Sequence, residues 1–187
     1  SAIMSERRRR HIAALAEKDV PRALFQAADH VHVSSYYLQE KLRPGVATLF
    51  REARAAGLTT SLDPGFDPSE RWEPDMLETL RHTDIFFPNE VELRALTRLD
   101  APEEAVRSLQ RGGTRVVAKL GAAGAVALDD GGRLVHVPAP LAEVIDTTGA
   151  GDSFDAGFLH AWLGGAALED SLRLGAACGA LSTRGLG

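Results

Sequence analysis

One cysteine, Cys178, is too few for an intramolecular disulfide and fits a reducing, cytoplasmic setting. It stands among alanines and glycines, where a thiol reads as a small apolar residue. No apolar run approaches the roughly 18 residues that a membrane span needs. No secretory signal is visible at Ser1. Positive charge is not in excess: the formal net charge is -5, which argues against a general nucleic-acid binder. Repeats, low-complexity tracts and domain linkers are missing too. What is there is a globular composition, 44% hydrophobic and 25% charged over 187 residues, which suits a single domain over 1–187.

Residues 5–17 read as a helix, with Ile12, Ala13, Leu15 and Ala16 near one face. The run Arg7, Arg8, Arg9 and Arg10 reads as its solvated side, a phosphate or nucleic-acid role being the alternative. A short helix starts at Val20-Pro21 and runs through Ala28. Alternation over 29–34 predicts a strand with His30 and His32 on one face. With no further Cys or His close in sequence, an exposed strand face fits that pair better than a metal. A helix over 44–56, closed by Gly57, leads to a strand over 58–62. A short helix over 73–81 and a buried-type strand over 84–87 follow. Next come a helix over 101–111, a buried strand over 114–120, and strands 125–128 and 133–137 around the turn Asp129-Asp130-Gly131-Gly132. Residues 143–145 read as the end of a strand. The last helix, over 168–183, is rich in small residues (Gly175, Ala176, Ala177, Gly179, Ala180) and admits a flat ligand or a second helix. Strand–helix repetition with a late hairpin predicts an α/β fold, with a mostly parallel sheet and helices on both faces.

Four places carry candidate chemistry, three of them on segments that follow a strand, the edge where open α/β sheets bind ligands. Asp63 and Arg71 flank a turn-rich loop; either faces a substrate or nucleotide, or Asp63 caps the following turn. Asn89 and Glu92 open a helix. An amide and a carboxylate so placed can hold magnesium through water, or they can form a capping box. Lys119 precedes Gly121 and Gly124, whose spacing lets the chain bend closely past a ligand; Lys119 meets a phosphate or is a solvated strand end. Asp146-Thr147-Thr148-Gly149-Ala150-Gly151-Asp152 leads into an apolar helical face of Phe154, Gly157, Phe158 and Ala161. Free amides and the positive end of the helix make this loop an anion site, and small residues let a phosphate approach. Asp152, a carboxylate beside an anion hole, is poorly placed to bind an anion. It is well placed to take a proton from a nucleophile attacking one.

Residues 146–159, D-T-T-G-A-G-D-S-F-D-A-G-F-L, closely resemble the C-terminal signature of the ribokinase-like (PfkB) carbohydrate kinases. Asn89-x-x-Glu92 resembles the second motif of that family and lies in the expected order. The resemblance implies a three-layer α/β/α ribokinase-like fold, with the N-terminal strands and small β lid of the usual longer chain missing. It implies Asp152 as catalytic base and Gly149, Ala150 and Gly151 with Asp152 as anion hole. Lys119, Gly121, Gly124 and Asn89 would line the nucleotide site, and Glu92 would order magnesium through water. Asp146 and Thr148, with carbonyls of the tail, would hold a monovalent cation such as potassium. Family members often carry Asp, Asn and Arg-Trp near Asp63 and Arg71; Gly65 stands where an Asn is expected. Gly175 or Ala176 matches a position that often meets the adenine.

The implied activity is ATP- and Mg2+-dependent phosphorylation of a hydroxyl on a small sugar or nucleoside, with neither nucleic acid nor membrane as partner and a homodimer left open. One rival is a non-catalytic nucleotide-binding remnant or half-protein that needs a partner chain. Another is a hydrolase, because Gly151-Asp152-Ser153 reads like the nucleophile motif of Gly-Asp-Ser esterases. Those place a late Asp-x-x-His partner, and the nearest His after Ser153 is His160 on the same predicted helix.

Overall fold

The computed structural model describes residues 14–72, 75–110 and 113–185. The basic run at Arg7 and most of the helix expected over 5–17 lie outside them. The described residues fall into two compact units, those within Ser1–Phe86 with Gln110–Thr114, and those within Phe87–Leu109 with Arg115–Gly187.

The first unit holds three parallel strands, β1 (His30–Val33), β2 (Thr59–Leu62) and β3 (Ile85–Phe86), paired His30 to Thr59 and Ser61 to Ile85. Parallel neighbours need crossovers, and α1 (Val46–Ala55) and α2 (Asp75–Leu80) provide them. α1 buries Val46, Leu49, Phe50 and Ala53, a stripe at helical spacing. The helix expected from Pro44 begins later because Arg43–Gly45 is a 3-10 turn, and the segment after Pro21 is likewise 3-10, over Arg22–Ala27. His30 and His32 share a face as expected, and both meet Ser61 Oγ, at 2.7 Å each; His30 also reaches Thr59 Oγ1 at 2.7 Å. Among the described residues no group of three His, Cys, Asp or Glu could hold a metal.

The second unit starts with α3 (Glu90–Thr97) and α4 (Pro102–Leu109). An antiparallel meander follows: β4 (Arg115–Lys119), β5 (Ala125–Leu128) and β6 (Leu134–Val137), with Val117 opposite Ala127 and Val126 opposite His136. Asp129 shapes the expected hairpin turn by accepting from Gly131 and Arg133 amides at 3.0 and 2.9 Å. Two helices end the unit, α5 (Ala150–Leu163) and α6 (Leu168–Ser182). They pack through their small residues: a Cβ on Gly175 would stand 3.0 Å from Phe154 O, and one on Gly157 2.7 Å from Cys178 Sγ. Phe154 and Phe158, one turn apart, hold α5 on Phe87, with ring centroids 6.5 and 5.3 Å away.

The strand expected over 143–145 does not form. Val144 and Ile145 are 60% and 62% exposed, and the amides of Ile145 and Asp146 donate to Thr183 O at 2.8 and 3.1 Å. The segment therefore satisfies its backbone on the end of α6, not in a sheet. Among the described residues no helix is long and apolar enough to cross a membrane.

Candidate active site

The N-terminus of α5 is set by Gly149, which stands as N-cap at φ 77 with open space around a built Cβ, so backbone conformation alone asks for glycine there. The loop before it is stiffened by Asp146, whose Oδ1 accepts from Thr148 N at 2.9 Å and from its hydroxyl at 2.8 Å. The first amides of a helix have no partner within it. That of Ala150 turns back to Thr147 O at 3.1 Å, and the first bond into the helix runs from Ser153 N to Gly149 O at 2.9 Å. Asp152 lies exposed on this first turn.

β4 brings its last residue to the same place. Lys119 is 9% exposed, which overturns the solvated strand end as an alternative for it. Its Nζ lies 3.0 and 3.3 Å from the two oxygens of Asp155 and 6.0 Å from the Phe87 ring centre. A Cβ built on Gly151 would stand 3.4 Å from that Nζ. After Lys119 the chain makes the 3-10 turn Gly121–Ala123, and Gly124 closes it at φ 95 with its carbonyl taking Leu120 N at 2.7 Å. Gly124 admits no side chain, because a Cβ would lie 1.9 Å from Val137 O.

Asn89 and Glu92 form the capping box that was their alternative reading. Glu92 N donates to Asn89 Oδ1 at 2.9 Å and Asn89 N to Glu92 Oε2 at 2.8 Å, with Glu92 4% exposed. The cap sits at the end of β4: Asn89 bridges Lys119, whose amide donates to Pro88 O at 2.9 Å. Asn89, Lys119 and Gly151 are thus neighbours, with Gly121 and Gly124 one turn further on. A groove of about 350 Å³ between α3 and α4, lined by Val91, Leu93, Arg94 and Leu99, includes none of the expected site residues.

Asp63 and Arg71 belong to the other unit. Asp63 is buried and caps its turn, taking Gly65 N on Oδ1 at 2.9 Å. The hub of that loop is Asp67, which sequence reasoning missed. Its carboxylate accepts from the amides of Ser69, Arg71 and Trp72 at 2.8, 3.1 and 2.9 Å. Burial alone pushes the Asp67 carboxyl up, but these hydrogen bonds outweigh it and hold the group below the usual range. The missed signal is local: an Asp two residues before a Ser in a turn-rich stretch is the pattern of an Asx turn. Asp155 was missed as well. An acid between Phe154 and Phe158 on an apolar helix face signals a buried partner.

Residues 8–187 match the family described as pfkB family carbohydrate kinase. The chain belongs to that family. It is 37% identical over 171 residues to an ATP-dependent ribose-1-phosphate kinase of Halopiger xanaduensis, a match covering 90% of this chain and 53% of that protein. The chain spans about half the length of the curated relatives it matches. Adenosine kinase from Sinorhizobium meliloti superposes with a TM-score of 0.83 at 27% identity, covering 94% of this chain and 55% of that one. A structure described as a ribokinase II from Escherichia coli, in complex with ATP and Mg2+, gives 0.82 at 25% identity, covering 94% and 60%. The ribokinase-like α/β fold expected from the signature is therefore the fold of this pfkB chain.

Proposed function

We propose that this chain carries the nucleotide and phosphoryl-transfer site of an ATP-dependent kinase acting on a hydroxyl of a sugar or sugar-like substrate, nucleosides included. The observation that carries the reading is the meeting of the α5 first turn, the end of β4 and the cap of α3 around Lys119. Asp152, exposed on that first turn, takes the proton of the attacking hydroxyl as the new O–P bond forms. The amides of Gly149, Gly151 and Asp152 stabilise charge on the transferring group. The Ala150 amide contributes less than the signature implies, because it faces Thr147 O. Gly121 and Gly124 let the nucleotide lie close to the backbone. Lys119 belongs to the nucleotide site as well, and Asp63 and Arg71 are the candidate substrate contacts.

Bound Mg2+ would neutralise charge on the nucleotide phosphates. The described residues offer no cage of three acidic or imidazole ligands, which fits an ion held mainly by phosphates and water. Glu92 orders that water, and Asn89, whose Oδ1 serves the cap, meets a phosphate oxygen through its amide nitrogen. Potassium has a candidate place at Asp146 and Thr148, beside the tail that Thr183 O ties to Asp146 N.

The test is ATP- and Mg2+-dependent phosphorylation of a panel of sugars, phosphosugars and nucleosides by the wild type and by Asp152→Asn. The expected result is turnover with at least one acceptor, reduced about 10²- to 10⁴-fold in the variant while the Kd for ATP stays within about threefold. Near-normal turnover of Asp152→Asn removes Asp152 as base. A second reading is a nucleotide-binding half that needs a partner chain. ATP binding without turnover on any acceptor would decide for it.

A further inference from the structure

Phosphoryl transfer does not itself ask for a carboxylate at Asp155. The residue sits three positions after Asp152 in the second turn of α5 and is 1% exposed. A buried carboxylate is strongly disfavoured unless a cation meets it. Lys119 Nζ does, on both oxygens. The same ammonium lies beneath the first turn of α5, since only 3.4 Å separates it from a Cβ built on Gly151. Alone, a cation there would oppose the positive end of the helix. Each half of the pair is therefore unfavourable without the other, and the pair is neutral together.

The backbone of Lys119 makes this more than a local bond. Its amide is tied to Pro88 O, beside the cap of α3, and its neighbour Leu120 is tied to Gly124 O across the glycine turn. Through one side chain the first turn of α5 is referred to both other elements of the site. A displacement of about 1 Å in such a site can lower the rate about 10²-fold.

We infer that Asp155 and Lys119 are positioning residues: their buried pair fixes the α5 first turn, with Asp152 and the amides of Gly149 and Gly151, against the end of β4 and its glycine turn. The inference rests on the kinase reading and adds to it Asp155, a residue with no part in the chemical step. The Lys119 ammonium then acts through Asp155.

The test compares wild type, Asp155→Asn, Lys119→Met and the double variant Asp155→Asn/Lys119→Met, at a temperature where circular dichroism shows each folded. Two readouts are taken: hydrogen exchange of the amides at 150–154, and the affinity for ATP with Mg2+ by calorimetry. Each single variant is expected to speed exchange at 150–154 at least tenfold and weaken ATP binding about tenfold. The double variant is expected to be no worse than either single one, as for residues acting through one contact. Unchanged exchange in both single variants overturns the inference. So does a loss of ATP affinity in Lys119→Met with none in Asp155→Asn, which marks a direct phosphate contact. If a single variant does not fold, the apolar replacement Lys119→Met/Asp155→Leu takes its place; exchange at 150–154 is expected to rise several-fold, and wild-type protection overturns the inference. A wild type that binds no ATP refutes the kinase reading instead, and the exchange comparison still decides whether the pair holds the turn.

Discussion

Gly124→Ala isolates the tightest backbone contact near the site. The residue sits at φ 95 and ψ -129, a region open essentially to glycine, and forcing alanine into it costs about 1–3 kcal/mol. A Cβ would also lie 1.9 Å from Val137 O and 2.7 Å from both Ala139 N and Pro138 Cα. All three are backbone atoms, so no rotamer change relieves the overlap; the segment leaving β6 must move, at about 1–3 kcal/mol more. The sum, about 4 kcal/mol, is a large part of the roughly 5–15 kcal/mol that keeps a domain folded. Gly121 is the internal control. It stands in the same turn at φ 57 with open space around a built Cβ, so Gly121→Ala carries only the left-handed term, about 1–2 kcal/mol. Urea unfolding followed by circular dichroism on wild type and both variants, fitted with a common slope, gives the comparison. The expected excess for Gly124→Ala over Gly121→Ala is about 2 kcal/mol. Equal losses would refute the contact with Val137 and the path of the turn with it.

Burial, helped by neighbouring His32 and opposed by Asp84, lowers His30 to about 4. Between about pH 4 and the ordinary value near 6.5 the unfolded chain therefore binds the extra proton; the stability His30 contributes is complete above pH 6.5 and is lost as pH falls toward 4. After discounting for solvent screening, the stability of wild type relative to His30→Gln should fall by about 2 kcal/mol between pH 7.5 and pH 4.5 in urea titrations, and a constant difference refutes the assignment. Asn89→Ala removes the acceptor for Glu92 N and should destabilise by about 1 kcal/mol in the same assay; no loss would mean that the capping box does not hold α3 in solution.

What could be read from the sequence was what is settled within a few residues. The helix start after the glycine loop at 149–151, the reciprocal bonds of Asn89 and Glu92, and the turn shaped by Asp129 are short-range features, and each appears where its residues allow it to be read. What could not be read depends on a partner far along the chain. Ile145 looked like a strand residue because it ends a β-branched pair, yet its amide is taken by Thr183, and nothing near it says so. For Lys119 the solvated end stood as one of two readings, beside a phosphate contact, because lysine at the end of an apolar strand is commonly exposed. Its partner, Asp155, lies on the second turn of the signature helix.

On the kinase reading, that pairing bears on how a chain with net charge -5 would bind polyphosphate. Lys119 is the cation closest to the α5 first turn in the contacts above, and Asp155 balances it at 3.0 Å. Two helix starts remain beside it: Asn89, the cap of α3, bridges Lys119, and Gly151, in the first turn of α5, lies over its ammonium. The positive ends of both helices are therefore brought to one strand end, where fixed amides can meet phosphate oxygens without recruiting a flexible side chain. Amides work this way only if the phosphate comes within hydrogen-bond reach of the backbone, and a Cβ at the approach would prevent it. On the kinase reading, Gly151 leaves that approach open: with the Lys119 ammonium balanced by Asp155, close approach to oriented backbone replaces net charge as the source of affinity.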